Sequence, residues 1–432
     1  MPPATSRAPS ATLPLRYLVA AALAFVLGAL ALPWLADALA GHYYQPRVFA
    51  LTHLLTLGWI TLGVMGASYQ LIPIVLERPI WSERLARWQF VVLVAGIAGM
   101  VGHFFIAEWS GLLWGAGLVA LGVAAHLTNA VMSLRGMRGG SFTGRLVTLA
   151  FAALGLTVVF GGALGLDHVV NILPGSVLAN VHAHVHLALL GFVLPMVIGV
   201  AARVYPMFLL AREPAGRLGA VQLWGLVTGV PLVVAGIMLD ARPMVVAGAL
   251  AVAGAVGGHV AWVAGIVSER KRPALDWGLR LVLTGTAFLA LATIMGLGLA
   301  LGVIAGPRYG LAYGIVALGG WASLTIAGMM LKIVPFLVWY RVYAPRVGRA
   351  PVPTLAQLSW IPGERAAATL LAAGVCGLAV AVLVGDPAWI RAASVLIATG
   401  ALAFAATLAR VLHHLMPCAA RTLTAATGRQ PS

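Results

Sequence analysis

Long apolar segments separated by short polar loops run through the whole chain. Each segment has about twenty or more residues, the length that an α-helix needs to cross a bilayer. Gly, Pro and charged residues interrupt the segments and mark the loops. We therefore predict an all-α membrane protein that forms a single polytopic domain over residues 1–432. The predicted spans are 17–39, 48–75, 88–108, 112–134, 146–166, 178–210, 218–239, 243–267, 277–304, 311–340, 364–384 and 389–415.

The composition agrees with a membrane protein and excludes a soluble domain of any size. Hydrophobic residues make up 61% of the chain and charged residues only 9%, whereas a soluble domain is about a quarter charged. The net charge of +16 does not indicate a nucleic-acid partner, because the basic residues stand singly or in small groups between apolar segments. The bilayer itself is the partner that the composition predicts.

The basic residues also predict the orientation in the membrane. Of the 27 Lys and Arg residues, 21 fall on the side of the N-terminus and 4 on the opposite side. Positive charge is retained on the cytoplasmic side, so we expect both termini there, in a bacterial inner membrane. Arg203 and Lys332 lie within spans and either extend to the interface or hold a carboxylate or other anion. The four outer residues are Arg47, Arg242, Arg308 and Arg391.

The second, sixth and tenth helices share one spacing of small residues. In each, a Gly is followed eight positions later by a second Gly and, seven further on, by Pro. Three matches at four-helix intervals predict a threefold repeat, with units of about 1–140, 141–272 and 273–432. Since Gly lets a neighbour approach closely, we predict that these three helices are the inner ones. The matching positions are Gly58, Gly66, Pro73; Gly191, Gly199, Pro206; and Gly320, Gly328, Pro335.

Histidines are the main candidates for chemistry, and there are eleven of them. His53 and His186 both stand five positions before the first repeat Gly, near the outer ends of their helices. His182 shares a helix side with His186 because it lies four residues away, whereas His184 points elsewhere. We expect His103, near the outer end of the third helix, to be a further candidate for this layer.

A second, deeper pair is formed by His126 and His259, at matching positions of the first two units. The third unit has no His at the position of this deeper pair. It also has none at the position of His53 and His186, where Ile315 stands instead. Imidazole within a bilayer is costly unless it is neutral and bonded, and neutral imidazole is a common ligand of haem iron and copper. The alternative role is a hydrogen bond between helices. The candidate cofactor ligands are His53, His186, His182 and His184, and the candidate metal ligands are His182, His186, His103, His126 and His259.

With twelve helices and histidines on the second and sixth, the chain resembles the catalytic subunit of haem–copper oxidases and nitric oxide reductases. The resemblance implies that His53 matches a haem ligand and that one of His182, His184 and His186 matches a copper ligand. That superfamily also has histidines on its seventh and tenth helices, but residues 218–239 and 311–340 contain none. A complete oxidase centre is therefore not expected.

Two helices also resemble the NnrS family of haem- and copper-containing membrane proteins linked to nitrosative stress. The second reads HLLTLGWITLGVMGASYQLIP from His53, and the sixth has HLALLG from His186 followed by GVAARV from Gly199. This resemblance implies a b-type haem, with copper as a further cofactor, and His53 and His186 as its positions. It suggests electron transfer or a role with nitric oxide or oxygen, with quinone or a periplasmic cytochrome as electron partner.

Two other functions stay open at this point. The eleven carboxylates all fall in loops or at helix ends, and a proton pump or cation-coupled carrier normally needs a buried relay group. Gly- and Pro-rich central helices are nevertheless typical of transporters, so a transporter without a cofactor remains one alternative. The other is an assembly or scaffold subunit whose histidines serve only as hydrogen-bonding groups.

Overall fold

The computed structural model describes residues 10–75, 78–135, 140–211, 216–271 and 274–416. Within these ranges every regular element is helical, and twelve helices are long and apolar enough to cross a membrane. The predicted all-α, twelve-helix fold is confirmed. The helices are α1 (Thr12–Ala40), α2 (Pro46–Leu71), α3 (Glu83–Phe105), α4 (Leu112–Leu134), α5 (Phe142–Val170), α6 (Val177–Leu209), α7 (Arg217–Met238), α8 (Arg242–Ser268), α9 (Trp277–Ala300), α10 (Pro307–Arg346), α11 (Ile361–Val384) and α12 (Pro387–His413).

We call the end of the bundle that carries the α1–α2 and α3–α4 loops the outer end, after the charge bias of the sequence. Several of the basic residues used to predict this orientation lie outside the described residues. They are Arg7, Arg138, Arg212, Arg272, Arg421 and Arg429.

Helices α2, α6 and α10 are the most buried spans. In α10, 78% of the most apolar 18-residue stretch is buried, against 61% in α2, 56% in α6 and 28–50% in the other nine spans. The prediction that these three helices are the inner ones is confirmed. Helices α2 and α10 also pack directly against each other. The outer helices instead expose large apolar side chains, as lipid-facing surfaces do, among them Trp88 and Trp224.

The paired glycines explain how each inner helix packs on the first helix of its own predicted unit. In α10, a Cβ atom at Gly328 would lie 2.5 Å from the carbonyl oxygen of Gly278 in α9, and one at Gly320 would lie 2.4 Å from the ring of Phe288. A Cβ atom would clash at both positions, so only glycine, which has a hydrogen in place of a side chain, allows the helices to approach this closely. The same contact recurs between α2 and α1 and between α6 and α5, at Gly58 with Ala24, Gly66 with Tyr17, Gly191 with Ala153, and Gly199 with Leu146.

The other two helices of each group form a tight hairpin, α3 with α4, α7 with α8, and α11 with α12. Each group of four thus combines one inner helix, the helix packed on its glycines, and one hairpin. This recurrence agrees with the threefold repeat, whose unit boundaries stay a prediction.

Each inner helix changes to π-helical winding at the same place. The π-helical segments are Leu54–Thr61, Leu187–Val193 and Ile315–Ser323, so the first two begin at the residue after His53 and His186. Wider π turns are rare and occur mostly at functional sites. The hydrophobic pattern does not reveal them, because it is equally apolar in either winding. The two repeat histidines, His53 and His186, therefore stand directly before the change of winding in α2 and α6.

Lys332 holds a carboxylate, the second of the two roles left open for it. Its ammonium pairs with Asp276, which caps the start of α9, and lies 5.2 Å from the centre of the Phe208 ring. The Lys332 and Asp276 side chains are only 18% and 26% exposed, so the pair ties α10 to α9 near the inner end of the bundle.

We expect Lys332→Met to lower the stability of the protein, because Asp276 loses this cationic partner. The cost is about 1 kcal/mol, since the pair is partly hydrated. Thermal unfolding in detergent measures it as a fall in the melting temperature. Lys271→Met is the matched control, because Lys271 is exposed in the α8–α9 loop. Equal melting temperatures for the two variants would contradict a stabilising role for the pair.

Candidate functional site

A cavity of about 1130 Å³ occupies the outer half of the bundle, and all twelve helices contribute to its walls. Most of the lining is aliphatic or aromatic. Six histidines also line it, and a large apolar cavity with a few polar groups is the usual form of a ligand site. These histidines are His42, His53, His168, His182, His184 and His186.

His53 is held with one ring nitrogen free. Its Nδ1 lies 2.8 Å from the carbonyl oxygen of Phe49, one turn earlier in α2. A carbonyl oxygen only accepts, so Nδ1 carries the proton and Nε2 keeps its lone pair. The ring of Phe104 from α3 stacks on the imidazole with centres 4.8 Å apart. This is the arrangement in which histidine ligates a metal, with its second nitrogen fixed by a backbone carbonyl.

His186 repeats this arrangement in α6. Its Nδ1 lies 2.7 Å from the carbonyl oxygen of His182, so Nε2 is again the free nitrogen. The ring stacks on Tyr313 of α10, with centres 5.9 Å apart and planes inclined by 21°. His53 and His186 thus occupy equivalent positions in the sequence pattern, present the same nitrogen and line one continuous cavity.

His182 and His184 differ from these two. Nε2 of His182 is 2.8 Å from the hydroxyl of Tyr43, in the α1–α2 loop, where burial raises the pKa of the phenol above its ordinary value. The neutral phenol and His182 therefore share a hydrogen bond. His184 lies against Gly161 and Phe160 of α5, and its buried Nδ1 has no hydrogen-bond partner among the described residues.

The remaining candidates lie away from the cavity lining. His103 contacts two nearby side chains. The carboxylate of Glu108 lies 2.9 Å from Nδ1, and the indole N–H of Trp114 donates to Nε2 at 3.0 Å. His126 and His259 are buried in the inner half. Nδ1 of His126 bonds to the hydroxyl of Tyr69 at 3.1 Å.

His126 ends a buried polar network that crosses the first four helices. The hydroxyls of Tyr17 and Tyr69 both donate to the amide oxygen of Gln89, at 2.7 and 2.5 Å. His259 has the ring of Trp262 stacked 5.9 Å away and a buried Nδ1 that is unpartnered within the described part of the chain. Both histidines therefore lie outside the cavity lining: His126 takes part in a hydrogen-bond network, and His259 packs against Trp262.

The described residues fit haem better than a copper centre. Nowhere in the described ranges do three or more His, Cys, Asp or Glu side chains converge to hold a metal ion, so a three-histidine copper site does not fit. Haem needs an axial imidazole and a wide apolar slot. The two free Nε2 atoms meet the first need. Glycines in the cavity wall meet the second, since a Cβ atom at Gly117, Gly162 or Gly165 would meet nothing within 4 Å.

Several cavity residues were not singled out from the sequence. Tyr313 stacks on His186, Phe104 stacks on His53, and Trp109 lies 4.2 Å from His168, centre to centre. A signal for Tyr313 exists in the repeat: it stands two residues before Ile315, as His184 stands two before His186. Phe104 and Trp109 carry no comparable sequence signal.

Comparison with known families agrees with this fold. A sequence model of the family described as Cytochrome C and Quinol oxidase polypeptide I matches residues 17–242, just over half of the chain. The chain belongs to this family. The match includes α2 and α6, and so both His53 and the His182–His186 segment. Within the oxidase polypeptide I family, this member lacks histidine in α7 and α10.

A solved structure shows the same architecture. The cryo-EM structure of a heme-copper terminal oxidase dimer superposes with a TM-score of 0.69, covering 95% of this chain and 84% of that chain. Only 13% of the residues are identical, so the likeness concerns the fold. No curated protein sequence matches this chain. The protein is therefore a multi-pass membrane protein that resembles subunit I of haem–copper oxidases.

Proposed function

We propose that this oxidase polypeptide I family member binds haem through His53 and His186 and transfers electrons or handles a diatomic ligand, without being a complete terminal oxidase. One observation supports the proposal most directly. Two imidazoles at equivalent repeat positions have Nδ1 bound to a backbone carbonyl 2.7–2.8 Å away, and their rings line the same apolar cavity. Free Nε2 atoms in such a cavity suit axial ligation of haem iron.

The chain's own residues would prepare this site in three ways. The carbonyls of Phe49 and His182 select the tautomer of the two ligands, and the rings of Phe104 and Tyr313 hold the imidazole planes. The apolar walls exclude water and favour a large apolar macrocycle. When bound, haem supplies a one-electron couple and a coordination position for small ligands.

The finer parts of the proposal rest on the sequence resemblances. We propose a b-type haem, electron exchange with quinone or a periplasmic cytochrome, and a location in the bacterial inner membrane. The NnrS-like segments around His53 and His186 support a role in protection from nitrosative stress. Copper is the less supported cofactor, because within the described residues no set of three ligands converges.

A reduced-minus-oxidised visible spectrum of the purified protein, with haem extraction and metal analysis, tests the proposal. We expect a Soret band, α and β bands of a b-type haem, and a haem content of at least one per chain. A preparation from haem-replete cells that shows no Soret band would refute the proposal.

His103→Ala provides a specific check on the choice of ligands. Both nitrogens of His103 are engaged by Glu108 and Trp114, and the ring does not line the cavity. We therefore expect this variant to keep the full haem content and an unshifted spectrum. Loss of haem from a variant that remains monodisperse would show that His103 is a ligand after all.

A further inference from the structure

The contact between His186 and Tyr313 defines a rule for the three inner helices. His186 stands at the repeat position five before the first Gly of α6, and Tyr313 stands two residues before that position in α10. Their rings stack with centres 5.9 Å apart. His186, at the repeat position of α6, thus faces the residue two positions before the repeat position of α10.

Applied to α2 and α6, the same step pairs His53 with His184. His53 holds the repeat position of α2, and His184 stands two residues before the repeat position of α6. Both side chains line the cavity. Applied to α10 and α2, the step pairs Ile315 with Leu51, two apolar residues. The three pairs therefore differ in composition. The first has two histidines, the second a histidine and a tyrosine, and the third two aliphatic side chains.

We infer that His53 and His184 would together hold one haem between α2 and α6, and that His186, facing Tyr313, would be the single imidazole of a separate site between α6 and α10. This inference rests on the proposed function and assigns its ligands. The two histidines predicted on one side of α6, His182 and His186, therefore do not act as a pair of ligands, because His182 is bonded to Tyr43.

The surroundings of His184 suit a ligand role. Its buried Nδ1 has no partner in the described part of the chain, and an imidazole buried without hydrogen bonds is costly unless something else satisfies it. The ring lies directly over Gly161, where a Cβ atom would be 2.9 Å from Cε1. The neighbouring Gly162 and Gly165 of α5 and Gly117 of α4 face open space within the cavity wall. This glycine-lined gap provides a slot for a flat apolar group beside His184.

The two sites are expected to differ in chemistry. A haem held by two imidazoles would supply a low-spin centre that does not bind an added ligand. A haem held by one imidazole would supply a place for a small ligand, and at His186 the phenol of Tyr313 is the polar group nearby. The first site is then suited to electron transfer and the second to a small ligand.

Haem content, electron paramagnetic resonance and carbon monoxide binding of the purified full chain test the assignment. For the wild type we expect two haems per chain, one low-spin ferric signal, and carbon monoxide binding to about half of the reduced haem. His184→Gly should abolish the low-spin signal, and added imidazole should restore it, which separates loss of a ligand from misfolding. His182→Gly is the matched control and should keep the low-spin signal.

Three results would overturn the pairing. The first is a low-spin signal that persists in His184→Gly without added imidazole. The second is a low-spin signal lost from His182→Gly as well as from His184→Gly, which would make the effect a general disturbance of α6. The third is loss of the low-spin signal on replacing His186 but not on replacing His184, which would place His186 opposite His53. In each case haem is still bound, so the proposed function stands; absence of haem from the wild type refutes both.

Discussion

We expect His53→Ala to remove one of the two proposed haems, so that the Soret absorbance per chain falls by about half. In the proposed site, the free Nε2 of His53 is the ligand that α2 offers to the cavity, and alanine would leave an apolar wall in its place. The fixed Nδ1 contact with Phe49 adds to the effect, because an oriented imidazole binds metal more tightly than a free one. Haem extraction and the reduced-minus-oxidised spectrum measure the loss.

His168→Ala is the matched control for this experiment. His168 also lines the cavity, but its ring packs against Trp109 and it is not at a repeat position. We expect its haem content to equal that of the wild type. If His53→Ala retains all of its haem while remaining folded, α2 contributes no ligand. In that case the haem ligands of the proposed site come from the histidines of α6.

Gly328→Ala destabilises the bundle by about 1–3 kcal/mol, the range seen when extra methyl groups are forced into packed cores. The added Cβ atom would lie 2.5 Å from the carbonyl oxygen of Gly278 and 3.1 Å from the amide nitrogen of Val282. Both are backbone atoms of α9, so a side-chain rotation cannot relieve the contact. The two helices must move apart, and the π-helical segment of α10 moves with them.

The control is Gly257→Ala in α8, where a Cβ atom would meet nothing within 4 Å. Alanine is the better helix former by about 0.8–1 kcal/mol, so this variant is expected to be neutral or stabilised. Thermal or denaturant unfolding of both variants in the same detergent gives the comparison. A melting temperature for Gly328→Ala at or above that of Gly257→Ala would contradict the close α9–α10 packing.

The twelve spans were predictable because they depend on a local property. Twenty apolar residues in a row cross a bilayer whatever surrounds them, so residues 88–108 predict α3 (Glu83–Phe105) to within a few positions. The inner position of α2, α6 and α10 was also predictable. Their paired glycines are recorded in the sequence at fixed spacing, and a missing side chain has a direct steric consequence at sites such as Gly66 and Tyr17.

The candidate site was predictable only in part. Repeat register singled out His53 and His186, and the structure brings both to one cavity. The same reasoning also selected His126 and His259 as a second, deeper pair, and both are buried away from the cavity; their role as metal ligands stays a prediction. Polarity within a span shows that a histidine needs a partner, but it does not distinguish a cofactor from a tyrosine such as Tyr69 on a neighbouring helix.

The sequence by itself determined the membrane location, the number of spans, the inner helices and the two equivalent histidines, since each follows from hydrophobic length or from spacing along one helix. Only the tertiary structure decided which side chains meet across helices. In the structure, Tyr43 is hydrogen-bonded to His182 and Tyr313 stacks on His186. Glycines of the cavity wall lie near His184. The π-helical winding of Leu54–Thr61 and Leu187–Val193 also depends on the tertiary structure. The contacts of Tyr43 with His182 and of Tyr313 with His186 join residues more than a hundred positions apart, where no local periodicity in an almost uniformly apolar chain specifies the partner.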